Sequence, residues 1–379
     1  MAAALIAACT RQSGPASDPQ AAAAPNAPET DAPSLKVEQL ADGLKFPWSM
    51  AFAPTGEILI VEKAGGLRIY RDGALAPHAV SGTPSGVMAN ADSGLHDIAL
   101  DPQFETNRLV YLAFAEGDED ANRLAVWRAR LEDDALIDGK VIFRSAPDKA
   151  GASHPGGRIA FLPDETFLLT VGDGYDYRNS AQDLASDLGK ILRLDRNGAP
   201  PADNPFVGRA DVRPEIWTYG HRNPQGLAVD SETGNVYEHE HGPRGGDEIN
   251  RLTAGANYGW PLTTSGIDYD GSLVSERAHG EGIASPLMIW APSIAPSGLA
   301  IYRGGEFTEW NGHFLVGGLA SKSMVRAQLG EGERFISEAE RNLGDLRARI
   351  RDVRTGPDGF VYILTDEPEG RLLRLCKSC

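Results

Sequence analysis

One pattern recurs six times along this chain: an apolar strand, a turn rich in Pro, Gly and Asp, and a second apolar strand. The copies are AFAPTGEILIVEK from Ala51, IALDPQFETNRLVYLAF from Ile98, IAFLPDETFLLTVGD from Ile159, LAVDSETGNVYEHE from Leu227, LAIYRGGEFTEWNGHFLVGG from Leu299 and VRTGPDGFVYILTD from Val353. A loop and a third short strand follow each copy, usually with an Arg among apolar residues, as in GLRIYRDG from Gly66 and KILRLDRNG from Lys190. The starts are 47, 61, 68, 72 and 54 residues apart. That spacing suits a four-stranded blade with variable loops, and it predicts an all-β, six-bladed β-propeller of four-stranded antiparallel blades. A single twisted sheet cannot cover both its apolar faces, whereas a closed ring of six can. A β-sandwich with similar hairpins is the alternative that six strand triplets disfavour. The 43 Gly and 25 Pro of the 379 residues agree with many tight turns.

The repeats leave the N-terminal segment outside the ring. MAAALIAACT is a short apolar run closing on small residues and Cys9, too short to span a membrane. Ile6-Ala7-Ala8-Cys9 resembles a bacterial lipobox, although no positively charged segment precedes it. The expected division is a signal/lipobox segment over 1–9, an Ala/Pro-rich tether over 10–34 and the catalytic propeller over 35–379. Export follows, to the periplasm or to a membrane through a lipid on Cys9. Cys376 and Cys379 form a terminal C-x-x-C that cannot complete a zinc site alone, which leaves a disulfide or idle thiols. With 36 Lys plus Arg against 53 Asp plus Glu the formal charge is −17, so nucleic acid is not an expected partner.

In an antiparallel hairpin the start of the first strand and the end of the second share an edge. Residues flanking the repeats on that side should therefore share one face of the disc, and they are rich in chemistry. The edge gathers Arg222, Lys322, Arg349 and Arg351, a cationic group on an acidic protein that calls for a bound polyanion. The competing expectation is local ion pairing, for instance Arg351 with Asp352. His154 lies in an H-P-G-G-R turn where it could act as a general base. EHEHGPRGGDEINRL offers hard oxygen donors, the carbonyls around Gly242 and Pro243 and the carboxylates of Asp247 and Glu248, which favour calcium over zinc.

At GHRNPQGLAVD, HGPRGGDEIN…GANYGWP and RIRDVRTGPDG the sequence resembles the soluble aldose sugar dehydrogenases that depend on pyrroloquinoline quinone (PQQ), the glucose/sorbosone dehydrogenase family. The resemblance runs from about Val37 to about Leu375. It implies a six-bladed propeller that oxidises aldoses at C1 to lactones with PQQ and calcium, then passes electrons to an acceptor the sequence does not identify. It further implies His154 as general base, Arg222 and Asn223 at the reactive quinone carbonyl, and Lys322, Arg349 and Arg351 on the cofactor. Gly242 and Pro243 would supply carbonyls to the PQQ-associated calcium, and Glu248 and Tyr258 ligands to a second, structural calcium. The chain departs from some relatives in having Ser153 where they have Asp before the catalytic His, so His154 needs another orienting partner. Asp92 near the first turn adds a carboxylate that disfavours an anion, and His96 is read as part of that turn. Few rim insertions predict an open site and broad aldose specificity. A calcium-dependent propeller lactonase and a non-catalytic binding propeller are the other readings; the cationic edge argues against the first and the intact residue set against the second.

Overall fold

The computed structural model describes residues 35–377. They form six four-stranded antiparallel sheets arranged as a ring. The innermost strands of blades one to six are Pro47–Phe52, Leu95–Leu100, Gly156–Phe161, Pro224–Val229, Pro296–Ile301 and Ile350–Thr355. Each packs against the next, and the sixth returns to the first. Every third strand expected from the sequence is present, from Gly66–Arg71 to Gly370–Cys376.

Second strands such as Ile58–Glu62, Phe167–Val171 and Val361–Thr365 are buried along their whole length, because each lies between two neighbouring blades. Such strands carry unbroken apolar runs rather than alternation, which is why the repeats stood out. Blade six is closed by the first described strand, Lys36–Leu44, which pairs with Gly370–Cys376 from Lys36 opposite Cys376 to Leu44 opposite Gly370. The first and last described strands thereby lock the ring by completing blade six. Cys376 is disulfide-bonded. Cys9, the proposed tether and Cys379 lie outside the described residues, among which no helix is long and apolar enough to cross a membrane.

All six innermost strands share an irregularity. Their pairing with the second strand slips just after the first residue: between Pro47 and Ser49, Leu95 and Asp97, Gly156 and Ile159, Pro224 and Gly226, Pro296 and Leu299, Ile350 and Asp352. A bulge leaves a residue unpaired and re-aims its side chain. The residues so released include Trp48, His96, Gln225 and Arg351. His96 thus belongs to a strand rather than to the preceding turn.

Just inside this ring of bulges the axis is sealed by charge. Arg158 Nη1 is 3.1 Å from Asp352 and 3.6 Å from Asp97, while Arg354 reaches the same two carboxylates at 3.0 and 3.1 Å. Asp97 also accepts the Ile159 amide at 2.8 Å and Asp352 the Met50 amide at 3.2 Å, so the cluster ties blades one, two, three and six together. Asp352 is therefore committed to Arg158 and Arg354, and the expected pair with Arg351 does not form.

Candidate active site

The bulged strand starts and the loops beside them enclose a cavity of about 300 Å³. Its wall includes Trp48, Lys63, Asp92, His154, Arg222, Asn223, Gln225, His241, Tyr269, Arg349, Arg351 and Asp366. Three of these, Trp48, Gln225 and Arg351, are bulge residues, so the backbone irregularity is what turns them toward the cavity. Lys63, Arg222, Arg349 and Arg351 against Asp92 and Asp366 give 4 − 2 = +2 with the histidines neutral, so Asp92 does not cancel the cationic character of the wall.

His154 is buried and held at φ 50°, a left-handed conformation unusual for a non-glycine residue. Its Nδ1 is 2.7 Å from Asp173 Oδ1. Asp173 is itself fixed by the Tyr175 amide at 2.8 Å on the same oxygen and by Trp260 Nε1 at 2.7 Å on the other. This is the orienting partner that Ser153 does not supply. An ionised carboxylate only accepts, so Nδ1 carries the proton and Nε2 keeps its lone pair. Burial pushes the imidazole below its ordinary pKa, a shift that Asp173 partly opposes. His154 is thereby kept neutral and basic at Nε2.

Arg222 is buried, with its guanidinium 5.4 Å from the Trp260 ring centroid and Nη1 donating to the carbonyls of His241 at 3.1 Å and Gly242 at 2.7 Å. Asn223 is buried beside it and accepts from Gln225 Nε2 at 2.9 Å. Arg349 and Arg351 share one oxygen of Asp366, at 2.9 and 3.0 Å, and the Arg351 guanidinium also lies 5.2 Å from the Trp48 ring centroid. Lys322 is exposed in the turn before Ser323–Leu329 and is not part of the wall. Lys63, which directly follows the second strand of blade one, is the lysine that stands there.

The residues expected to hold calcium divide. Asp247 is fully buried and accepts from the Gly242, Ile294 and Ala295 amides and from Ser293 Oγ at 2.6–3.0 Å, so it clamps two loops together. Glu248 has no ion pair among the described residues, and burial followed by Glu240 pushes its carboxyl up to about 8. An isolated carboxyl of this kind fits a cation. Tyr258 is buried next to it, its hydroxyl donating to the Arg251 carbonyl at 2.8 Å. Gly242 and Pro243 are buried in the loop above, with the Gly242 carbonyl engaged by Arg222.

The sequence profile described as Glucose / Sorbosone dehydrogenase matches residues 44–374. The chain belongs to the glucose/sorbosone dehydrogenase family. Within this family it is 40% identical over 349 residues to the aldose sugar dehydrogenase YliI of Escherichia coli K12, covering 90% of this chain and 93% of the relative. The crystal structure of the soluble aldose sugar dehydrogenase of Escherichia coli in the apo-form superimposes with a TM-score of 0.87 at 39% identity, over 91% of this chain and all (100%) of that one. The PQQ-bound form of the aldose sugar dehydrogenase of Streptomyces coelicolor superimposes with a TM-score of 0.73 at 26% identity, over 90% and 99% of the two chains. The cavity at the bulged edge is accordingly the candidate active site of a sugar-oxidising oxidoreductase.

Proposed function

We propose that this member of the glucose/sorbosone dehydrogenase family is a PQQ- and calcium-dependent aldose dehydrogenase, with its active site in the 300 Å³ cavity. The observation that carries the reading is the juxtaposition of a buried, neutral His154, oriented by Asp173, with a wall of net positive charge. PQQ, a planar polyanionic quinone, supplies the two-electron acceptor when bound. Its carboxylates suit Arg349, Arg351 and Lys63, with the face of Trp48 beside them. Arg222 and Asn223 would lie at its reactive edge, Gly242 and Pro243 would share their carbonyls with the associated calcium, and Glu248 and Tyr258 would serve a second calcium.

His154 Nε2 takes the proton of the anomeric hydroxyl as the C1 hydrogen departs with its electron pair, which makes the product a lactone. Asp173 holds the ring in the tautomer that can accept that proton and stabilises the imidazolium once formed. Tyr175 and Tyr269, 41% and 57% exposed, leave the mouth open and suit broad aldose specificity. Export, lipidation at Cys9 and delivery of electrons to an acceptor outside the chain complete the proposal. The test is to add PQQ and calcium to chelated protein and follow dye reduction with several aldoses. Full activity without either addition, or none with both, overturns it.

A further inference from the structure

The cations of the cavity wall suit a polyanionic cofactor and leave a neutral sugar without a surface of its own. Exposed aromatic rings supply one. Phe46, Tyr175, Tyr269 and Phe335 are the exposed aromatic side chains among the described residues. Phe335 lies between two strands of blade five, whereas Phe46 and Tyr269 line the cavity and Tyr175 touches His154. Three of the four therefore gather at one mouth, and each ring kept in water there forgoes burial, which marks a surface meant to be covered by a ligand. Phe46 belongs with the cofactor cations, its carbonyl accepting from the Lys63 N–H at 3.1 Å. The two tyrosines do not.

The Tyr175 ring stands edge-on to that of His154, with centroids 5.1 Å apart and planes at 77°. Its backbone is at φ 68°, a left-handed conformation that a tyrosine keeps only where its surroundings impose it. Here the Tyr175 N–H donates to Asp173 Oδ1, the oxygen that also orients His154. One turn thus fixes both the base and the ring beside it. Tyr269 sits at the tip of a hairpin in which Ile267 pairs with Leu273 and the Gly271 N–H closes on the Asp268 carbonyl. Arg178, three residues beyond Tyr175, donates to the Asp268 carboxylate at 2.9 Å and ties that hairpin to the Tyr175 loop. Neither tyrosine hydroxyl has a hydrogen-bond partner among the described residues.

We propose that Tyr175 and Tyr269 form an aromatic bracket for the sugar, with the Arg178–Asp268 ion pair positioning its second member. The inference rests on the dehydrogenase reading and specifies how the substrate is held. A pyranose with equatorial hydroxyls carries C–H bonds on the two faces of its ring and the hydroxyls around the rim. The faces suit the flat apolar side of a phenol, and the two free phenolic hydroxyls exchange hydrogen bonds with the rim. Such a surface reads the ring as a whole rather than one hydroxyl. Aldopyranoses that differ at a single carbon should therefore bind alike.

The protein supplied with PQQ and Ca²⁺ is probed with 1,5-anhydro-D-glucitol, a pyranose that lacks the anomeric hydroxyl and so is not turned over. Saturation-transfer NMR with irradiation of the aromatic protons should reach its ring C–H protons in the wild type and fail to do so in Tyr175→Ala and Tyr269→Ala. In steady-state assays the same variants should raise KM for D-glucose, D-galactose and D-xylose alike by about 10-fold, with kcat within about 3-fold and an unchanged PQQ requirement. Tyr175→Gly, which adopts φ 68° without strain, must match Tyr175→Ala, and Tyr175→Phe must keep KM within about 3-fold of the wild type. Arg178→Gln should give the KM rise of Tyr269→Ala. No transfer in the wild type, or an unchanged KM in Tyr175→Ala, overturns the bracket. A fall in kcat at constant KM would make Tyr175 a support for His154, and a raised PQQ requirement would make the tyrosines a cover for the cofactor; either also overturns it. A wild type that binds anhydroglucitol but oxidises no aldose would overturn the dehydrogenase reading and leave the sugar site standing.

Discussion

Nδ1 of His154 and Oδ1 of Asp173, on neighbouring loops of blade three, are held 2.7 Å apart by a carboxylate that also accepts the Trp260 indole and the Tyr175 amide. Asparagine at 173 can present N–H to Nδ1 and favour the wrong tautomer. Asp173→Asn should therefore lower the saturated rate by about 10²-fold or more, and His154→Ala by a comparable factor, with little change in the PQQ concentration needed for reconstitution. Reconstitution curves and saturated rates of the two variants check this. A near-normal saturated rate in His154→Ala means that the base is another residue.

The same environment sets a pH dependence. Burial lowers the His154 pKa more than Asp173 raises it. The reactive form is the neutral one, present above the pKa, so kcat/KM should rise with pH through a midpoint below about 6.5 and be flat at neutrality. A profile from pH 4 to 8 that turns above 6.5 contradicts the assignment.

His96 should contribute to acid sensitivity of the fold rather than of the reaction. It is fully buried against Trp48, neither ring nitrogen has a hydrogen-bond partner among the described residues, and burial together with Lys63 and Arg351 lowers its pKa to about 3. The unfolded chain binds the proton at about 6.5. The stabilisation from keeping His96 neutral is thus complete above pH 6.5 and is lost progressively as pH falls toward 3, by at most about 1.4 kcal/mol per pH unit. Urea titrations at pH 7 and 4.5 should show a smaller difference for His96→Leu than for the wild type.

Arg349 and Arg351 should not be equivalent, although both rest on Asp366. The Arg351 side chain is 12% exposed and flanks Trp48, whereas that of Arg349 is 46% exposed. A desolvated charge-assisted contact to a carboxylate is worth about 1.5–3 kcal/mol and an exposed one about 1 kcal/mol or less. Arg351→Ala should raise the PQQ concentration for half-reconstitution by about 10–100-fold, and Arg349→Ala by no more than about 5-fold. Equal effects would mean that PQQ does not lie against Trp48.

Much of the ring was legible because each buried second strand is an unbroken apolar run between turn residues. The fourth strands were not. Ala74–Leu75 and Met288–Trp290 are two and three residues long and carry no period, and closure by Lys36–Leu44 depends on ring geometry rather than on local pattern. Within the site, His154, Arg222, Asn223, Arg349 and Arg351 could be found because they flank strands on one edge. Lys63 was available by the same rule, directly after ILIVE of blade one. Asp173 sits in the loop that follows Phe167–Val171, on the same edge, but its role appears only as a distance to His154. Trp48 was hidden because a tryptophan inside a strand reads as core until a bulge turns it outward.

The contact between Arg222 and Gly242 sets an order of assembly that can be measured. Arg222 Nη1 is 2.7 Å from the Gly242 carbonyl and 3.1 Å from that of His241. A calcium ion at Gly242 and Pro243 would compete with the guanidinium for the first carbonyl and sit beside a second positive charge. Without PQQ to offset that charge, calcium at this position should be weak, and PQQ should strengthen it by drawing Arg222 to its own oxygens. Arg222→Ala removes the competitor. Losing a charge-assisted hydrogen bond of about 1.5–3 kcal/mol should tighten calcium in PQQ-free protein by about 10-fold or more, while weakening reconstitution by PQQ. Calorimetric titration of Ca²⁺ into wild type and Arg222→Ala, each in a Glu248→Gln background to silence the second calcium position, isolates the effect. Unchanged calcium affinity in the double variant would mean that Arg222 leaves Gly242 at no cost, and calcium and PQQ would then bind independently.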